Sequence, residues 1–208
     1  MRSLMIIGAS GHGRVVADIA RLCGYDTICF LDDADKVSVG HYPVMGKVST
    51  FVSYVKDASF FVAIGNNAVR EKILQQLANE KAEIATLIHP QAVVGEDVCI
   101  GAGTVVAAGA VINPGVRIGE GVIVNTCASI DHDCHVDAYC HISVGAHLAG
   151  AVHIGKSTMI GAGATVINNV SVCAECMIGA GAVVVRDIVE SGTYVGVPTR
   201  KIVSCGEV

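Results

Sequence analysis

The sequence has no tryptophan, and aromatic residues make up only 4% of it. With 52% hydrophobic residues, the core this implies is narrow and filled by valine, isoleucine and alanine. Positive charge is scarce as well. Fourteen Lys and Arg face nineteen Asp and Glu, a net charge of −5. With no basic run anywhere, that balance argues against a nucleic-acid partner. No stretch approaches the roughly 18 uninterrupted apolar residues of a spanning helix, so no membrane insertion is expected. Leu4 to Ile7 is too short for a secretory leader and runs straight into a glycine motif. The nine cysteines are odd in number. Without a leader they read as reduced thiols of a cytoplasmic protein, not as a disulfide framework. Cys173 and Cys176 form a lone C-x-x-C, with no second pair at zinc-ribbon spacing.

What the chain does have is a repeat. Seventeen aliphatic residues stand six apart without a slip, Ile88, Val94, Ile100 and onward to Val184. A helix face recurs at 3.6 residues and a strand face at 2, so a sustained period of six marks an internal repeat. Small or medium residues hold the place four after each aliphatic, Cys134 and Cys140 among them. Each hexad makes one short strand and one turn, and three hexads make one triangular coil, so residues 18 apart stack. At about 4.8 Å per strand the prism stands roughly 27 Å tall. All seventeen aliphatics are expected inside it. Glycine and asparagine are expected to serve the turns, where positive φ is inexpensive for them.

Residues 1–86 lack the hexad. Leu4–Ile7, Thr27–Leu31, Phe60–Ile64 and Glu83–Leu87 read as strands. Arg14–Cys23 and Ala68–Asn79 read as helices, the first with Val15, Val16, Ile19, Ala20 and Leu22 inward. Strands alternating with helices predict a parallel α/β sheet, packed close to the repeat domain by a short linker. The turn Gly8-Ala9-Ser10-Gly11-His12-Gly13 follows the first strand, and Asp32-Asp33 ends the second. Glycines at a strand–helix junction let backbone N–H groups approach a phosphate, and the aspartates suit a ribose or base. A tight turn with solvated aspartates is the alternative. Gly8, Gly11 and Gly13 are not spaced as G-x-G-x-x-G, and the unit is small for a dinucleotide, so a nucleotide-sugar suits it better.

Five of the eight histidines fall between 132 and 153. His135, His141, His147 and His153 immediately precede inward aliphatics and should point outward, and His135, His147 and His153 read as solvated surface. His132 differs, standing at a turn between Asp131 and Asp133, with Pro114 and Gly150 stacked around it. A carboxylate beside a histidine orients the ring and raises its basicity, as a general base requires. Histidine spacings of three and six do not match zinc-binding β-helix proteins, which pair histidines five apart. The outward row Val105, Ile123, His141, Met159 and Met177 forms an apolar stripe that reads as a subunit contact. Asn125, Ser143 and Gly161 run beside it.

The hexads resemble the left-handed parallel β-helix of acyltransferases. The strings Gly8 to Val16, Phe30 to Asp33, Ala63 to Asn67 with Arg70, Leu87 to Pro90, Asp131 to Cys134 and Gly196 to Pro198 resemble, more narrowly, the bacterial sugar acyltransferases of the PglD/NeuD type. The resemblance implies a Rossmann-like nucleotide-sugar domain over 1–86 and a left-handed β-helix acetyltransferase domain with a tail over 87–208. It implies a homotrimer that uses acetyl-CoA as co-substrate and no metal. His132 takes the role of general base and Asp133 that of its support. Asn125, His141, Gly150, Gly161, Ala162 and Ala180 fall at the acetyl-CoA site, with Gly150 offering an N–H to the developing oxyanion. Gly8, Ser10, Gly11, His12, Gly13, Asp32, Asp33, Gly65 and Asn66 fall at the nucleotide-sugar site. The activity implied is N-acetylation of a UDP-linked 4-amino sugar. The alternative is O-acetylation of a sialic acid, which the shared motifs do not separate.

Overall fold

A computed structural model describes residues 2–202. Met1 and residues 203–208, the end of the expected tail with Cys205, lie outside the described residues. Strand β1 (Ser3–Ile7) leads into helix α1 (Gly11–Leu22) and strand β2 (Thr27–Leu31). A hairpin follows, β3 (Ser38–Val39) and β4 (Tyr42–Gly46), then a 3-10 segment over Val48–Tyr54. Strand β5 (Ser59–Val62) and helix α2 (Asn67–Asn79) complete the unit. The sheet order is β3-β4-β2-β1-β5, parallel except for the β3–β4 hairpin.

Several details differ from the sequence reading. Helix α1 begins at Gly11, not Arg14, so His12 and Gly13 belong to its first turn. A Cβ on Gly13 would sit 2.1 Å from the carbonyl oxygen of Gly8. That contact explains the early start, because only glycine lets the helix leave the turn so close to β1. Val15 and Leu22 are exposed, and α1 buries Val16, Ala17, Ile19 and Ala20 instead. The strand expected at Glu83–Leu87 is only a bridge from Ile84 to Phe60, with Leu87 already pairing into the repeat. The hairpin and the 3-10 segment carried no readable period.

From Leu87 the chain winds through two-residue strands stacked in three parallel sheets, the walls of a β-helix. The register is 18 as far as Val184, as in Ile123 with His141, Ser129 with His147, and His135 with His153. Beyond it Gly192–Val195 pairs with Cys176–Ile178 at an offset of 16 and carries an antiparallel partner, Arg200–Lys201. From Val106 to Val184 the repeated aliphatics are buried. Ile88 and Val94 are each 38% exposed, and Ile100 is half-buried. They belong to the first coil, which has no coil beneath it, so the expectation that all seventeen lie inside fails at that end.

The turn chemistry also differs from expectation. Positive φ falls on the third residue after each aliphatic, occupied by Cys127, Asp133, Tyr139, Ala151 and Ser157 as readily as by glycine. The glycine directly after an aliphatic serves another purpose. A Cβ on Gly101 would meet the backbone of Gly119 and Glu120 at 2.5 Å, so its role is close stacking of successive coils.

Each coil has three outward rows. The docking face carries Val105, Ile123, His141, Met159 and Met177. The histidine face carries Arg117, His135 and His153, and the third face Ser129, His147 and Thr165. Val105 and Ile123 are 1% exposed, packed in one cluster with Leu4, Ala17, Ala20 and Leu87. The lower half of the apolar stripe is therefore covered by the chain's own N-terminal domain. Its reading as a subunit contact is corrected for those residues. We expect Ile142→Ala, inside the coil, to destabilise the protein by about 2–5 kcal/mol. Ile88→Ala, at the open end, should cost less than about 1 kcal/mol. Equal shifts in urea midpoint for the two would contradict the open-end assignment.

Candidate active site

Two groups of residues emerge, and they stand on opposite sides of the prism. The first is a histidine and its carboxylate. Asp133 takes the left-handed conformation of the corner, φ 59°, which turns its side chain back toward the preceding ring. His132 Nδ1 lies 2.9 Å from Asp133 Oδ2, and Asp131 Oδ1 accepts from the His132 backbone N–H at 2.8 Å. The hydrogen bond to Asp133, with the charge of Asp131 behind it, raises the His132 pKa above its ordinary value. Since Nδ1 carries the proton to Asp133, Nε2 keeps a lone pair. That atom stands over Gly150, where a Cβ would come within 2.6 Å of it. Any larger residue there would displace the ring.

The second group lies where the N-terminal domain docks. His12 is held in the first turn of α1 and His141 on the docking face beside Asn125. Asn125 Oδ1 accepts from the Thr126 N–H at 2.8 Å, so its amide Nδ2 faces His141 Nε2, 3.2 Å away. His141 is then neutral, with its proton on Nδ1. His141, expected to point outward in the apolar stripe, is largely covered by the docked domain. Burial first, and the positive Arg70 second, lower both histidines to a pKa of about 4. His12 Nε2, His141 Nδ1 and Ser143 Oγ are buried with no hydrogen-bond partner. A cavity of about 590 Å³ opens beside His141, lined also by Gly65, Asn66, Ser157, Met159 and Met177. The upper half of the stripe therefore borders this cleft.

Around the glycine turn, most polar groups have local duties. Asp32 Oδ2 accepts from the Ala9 N–H at 2.6 Å, and Oδ1 from Ala34 at 2.8 Å. Asp33 accepts from the Val48 N–H at 2.9 Å. Asn66 caps α2 through Val69, at 3.0 Å. Ser10 precedes α1 without a capping hydrogen bond. Gly8 has φ 109° and passes close to Ala63, while Gly11 and Gly65 have open space. Lys36 Nζ, absent from the sequence reading, sits 2.6 Å from the Ala9 carbonyl oxygen and brings a cation to the turn.

The residues ascribed to acetyl-CoA divide. Asn125, Gly161, Ala162 and Ala180 follow docking-face strands and line the edge between the docking and third faces. Ala162 and Ala180 are exposed and stacked. Gly161 has no room for a side chain against the coil above. Gly150 belongs with His132 to the edge between the third and histidine faces. That edge lies across the triangle from the docking face, so the acyl residues do not converge within one chain.

The remaining histidines also find places. His135 and His153 stack, with ring centroids 5.3 Å apart, and each approaches Asp137 at 3.3 Å. Among the described residues no group of three or more histidines, cysteines and carboxylates could hold a metal ion. Cys173 and Cys176 stand 3.5 Å apart as thiols. Among the described residues no helix is long and apolar enough to cross a membrane.

A stacked hexad prism, a carboxylate-braced histidine at one corner and an α/β domain on one face define a hexapeptide-repeat acyltransferase. Family models agree, matching the PglD N-terminal domain over residues 3–77 and the bacterial transferase hexapeptide over 151–186. The acetyltransferase domain of PglB from Neisseria gonorrhoeae FA1090, solved with acetyl coenzyme A, is 43% identical, with a TM-score of 0.94. That match covers 97% of this chain and 99% of that one. PerB from Caulobacter crescentus, solved with CoA and GDP-perosamine, is 37% identical over 97% of this chain and 98% of its own, with a TM-score of 0.92. The UDP-N-acetylbacillosamine N-acetyltransferase of Bacillus subtilis (strain 168) is 36% identical over 106 residues. That stretch is 49% of each chain, so the match spans about half the length of the curated relative. The chain belongs to the PglD-type family of hexapeptide-repeat sugar acetyltransferases.

The two groups should titrate apart. In a histidine NMR titration His132 should change charge above the ordinary value near 6.5, and His12 and His141 near 4. Depressed folded-state values mean the unfolded chain binds more protons between pH 4 and about 6.5. Folding stability should therefore fall as pH drops through that window. A flat stability profile from pH 7 to 5 would contradict the buried neutral histidines.

Proposed function

We propose that the protein transfers the acetyl group of acetyl-CoA to the amine of a nucleotide-linked amino sugar, with a UDP-linked 4-amino sugar as the leading acceptor. The observation that carries this reading is the His132–Asp133 pair, with Nε2 unhindered over Gly150. The acceptors and acyl carriers in the names of the relatives, GDP-perosamine with CoA for PerB and UDP-N-acetylbacillosamine for the Bacillus enzyme, support it. They also favour an amine over a sialic acid hydroxyl.

His132 Nε2 takes a proton from the acceptor amine as its nitrogen attacks the thioester carbon. Asp133 holds the ring and stabilises the imidazolium that forms. The C–S bond breaks, and the proton passes from His132 to the departing thiolate. Acetyl-CoA supplies the activated acyl group. The small residues Ala162 and Ala180 leave an open edge for its arm, and the Gly150 N–H faces the developing charge on the carbonyl oxygen. Cys134 and Cys140 point into the core, and burial raises both thiols, Cys140 to about 12. No acyl-cysteine is part of this scheme.

The N-terminal domain holds the nucleotide at the glycine turn and directs the sugar into the cleft beside His141. His132 stands across the prism from that cleft, so the complete site needs a second subunit. A homotrimer supplies this arrangement cyclically, the His132 corner of one chain meeting the cleft of the next. A cytoplasmic setting goes with this reading, since nine cysteines, an odd number, suit a reducing compartment.

His132→Ala should lower kcat by about 10²- to 10⁴-fold, the range for a lost general base. Asp133→Asn should cost less, because the imidazole remains. The neutral ring is the working form, so the rate should rise with pH through an ionisation above about 6.5, and Asp133→Asn should move that step downward. A thiol-release assay with acetyl-CoA and amino-sugar nucleotides measures all three. Near-normal turnover by His132→Ala would assign the base to another residue.

A further inference from the structure

Arg70 is the largest fully buried side chain, 0% exposed. It lies in α2 at the junction of the two domains, and no carboxylate is among its hydrogen-bond partners. Carbonyl groups meet its charge instead. Nη1 donates to Ile64 O at 2.9 Å and Gly65 O at 3.2 Å. Nε donates to Gly121 O at 2.7 Å, and Nη2 to Tyr139 O at 2.7 Å and Cys140 O at 3.1 Å. Nη2 also reaches Asn67 Oδ1 at 2.9 Å, and the same amide donates to Ser157 O across the junction at 2.9 Å. The carboxylates of this interface are engaged elsewhere, Glu71 with Lys156 at 2.7 Å and Glu120 with the Tyr139 hydroxyl.

A buried cation without a counter-ion is an expensive way to join two domains, since packed apolar residues do so at least as well. Its arrangement serves position. One fork of the guanidinium grips the loop that carries Gly65 and Asn66, and the other grips the turn immediately before His141. We propose that Arg70 is a positioning residue for the reaction, fixing the acceptor loop Gly65–Asn67 against the strand that carries His141. This rests on the acetyl-transfer reading above. A rigid planar fork suits the task, because it sets two backbone segments at one spacing with little freedom to drift. The same charge also acts on the two rings beside it. Arg70 contributes to the low pKa of both His12 and His141, and its own falls to about 10 through burial. His12 also acts on His141, and of the other charged groups near the junction Glu71, Glu120 and Lys156 are engaged as described while Glu175 lines the cavity beside Glu71.

Three variants test the proposal. Arg70→Lys keeps the charge and loses the fork. Its kcat/KM for the acceptor should fall about 10- to 100-fold through misplacement, with the KM for acetyl-CoA unchanged and His12 and His141 still titrating near 4. Arg70→Met removes the charge, so both histidines should titrate closer to 6.5 in 13C-histidine NMR of the ligand-free protein. Leu74→Ala loosens the same interface, at Gly121 beside the Tyr139 ring, and removes no hydrogen bond to either loop. It should lower Tm and leave both readouts alone. Asn67→Ala removes the amide's two contacts, to Arg70 Nη2 and to Ser157 O, and leaves the other five hydrogen bonds of the guanidinium. It should shift acceptor kcat/KM in the same direction by less, which covers an Arg70 variant that fails to fold. Wild-type acceptor kinetics in Arg70→Lys, or in Asn67→Ala where that variant does not fold, would overturn the proposal. So would the same kinetic split in Leu74→Ala, which would make Arg70 domain adhesive alone. If the wild-type protein acetylates no amino-sugar nucleotide, the functional reading fails separately. Unmoved histidine titrations in Arg70→Met would then count against Arg70 independently.

Discussion

The 18-residue stacking of the coil is the constraint on which the rest depends. It sends every outward residue to one of three faces or three corners, and rigid ladders of backbone hydrogen bonds keep it there. His132 cannot drift toward His141, because they stand nine residues apart, half of an 18-residue coil, on an edge and the face opposite it. The same stacking places Gly150 one coil above His132, where the missing Cβ makes room for the ring. It also explains why glycine follows certain aliphatics, since the next coil passes within 2.5 Å of where a Cβ would lie. Geometry that would otherwise need many specific contacts is supplied by a period.

Docking of the α/β domain on one of those faces then divides the electrostatics. On the free corner His132 is exposed to solvent and to two carboxylates, so its protonated form is favoured. Under the docked domain His12 and His141 lose water and meet Arg70, so their neutral forms are favoured. One residue type therefore meets two environments, a solvated corner flanked by carboxylates and a dry domain junction, and its charge state differs between them.

The repeat was fully legible because its signal is covalent spacing, and spacing does not depend on tertiary context. The His132–Asp133 pairing was legible for the same reason, being local to one turn. The docking of the domain was not. The stripe Val105 to Met177 stood out in the sequence as an apolar face in want of cover, but periodicity cannot say what covers it. The cover is partly α1 and β1 of the same chain. Arg70 was visible only as part of a matching string. A lone arginine on a helix reads as solvated, and its burial depends on carbonyls 50 to 70 residues away in the chain. The start of α1 was misplaced because a glycine-rich turn and a glycine-rich first helical turn look alike without coordinates.

The central claim is that each active site joins the His132 corner of one subunit to the nucleotide cleft of another. Subunit mixing tests it most directly. His132→Ala and His12→Ala proteins, each tagged differently, would be co-assembled and the mixed species assayed below the acceptor KM. If sites are shared, about a quarter of them regain both intact halves in a random one-to-one mixture, and activity should rise well above either parent. A mixture no more active than its parents, in oligomers shown by their tags to be mixed, would place the whole site within one chain and contradict the account.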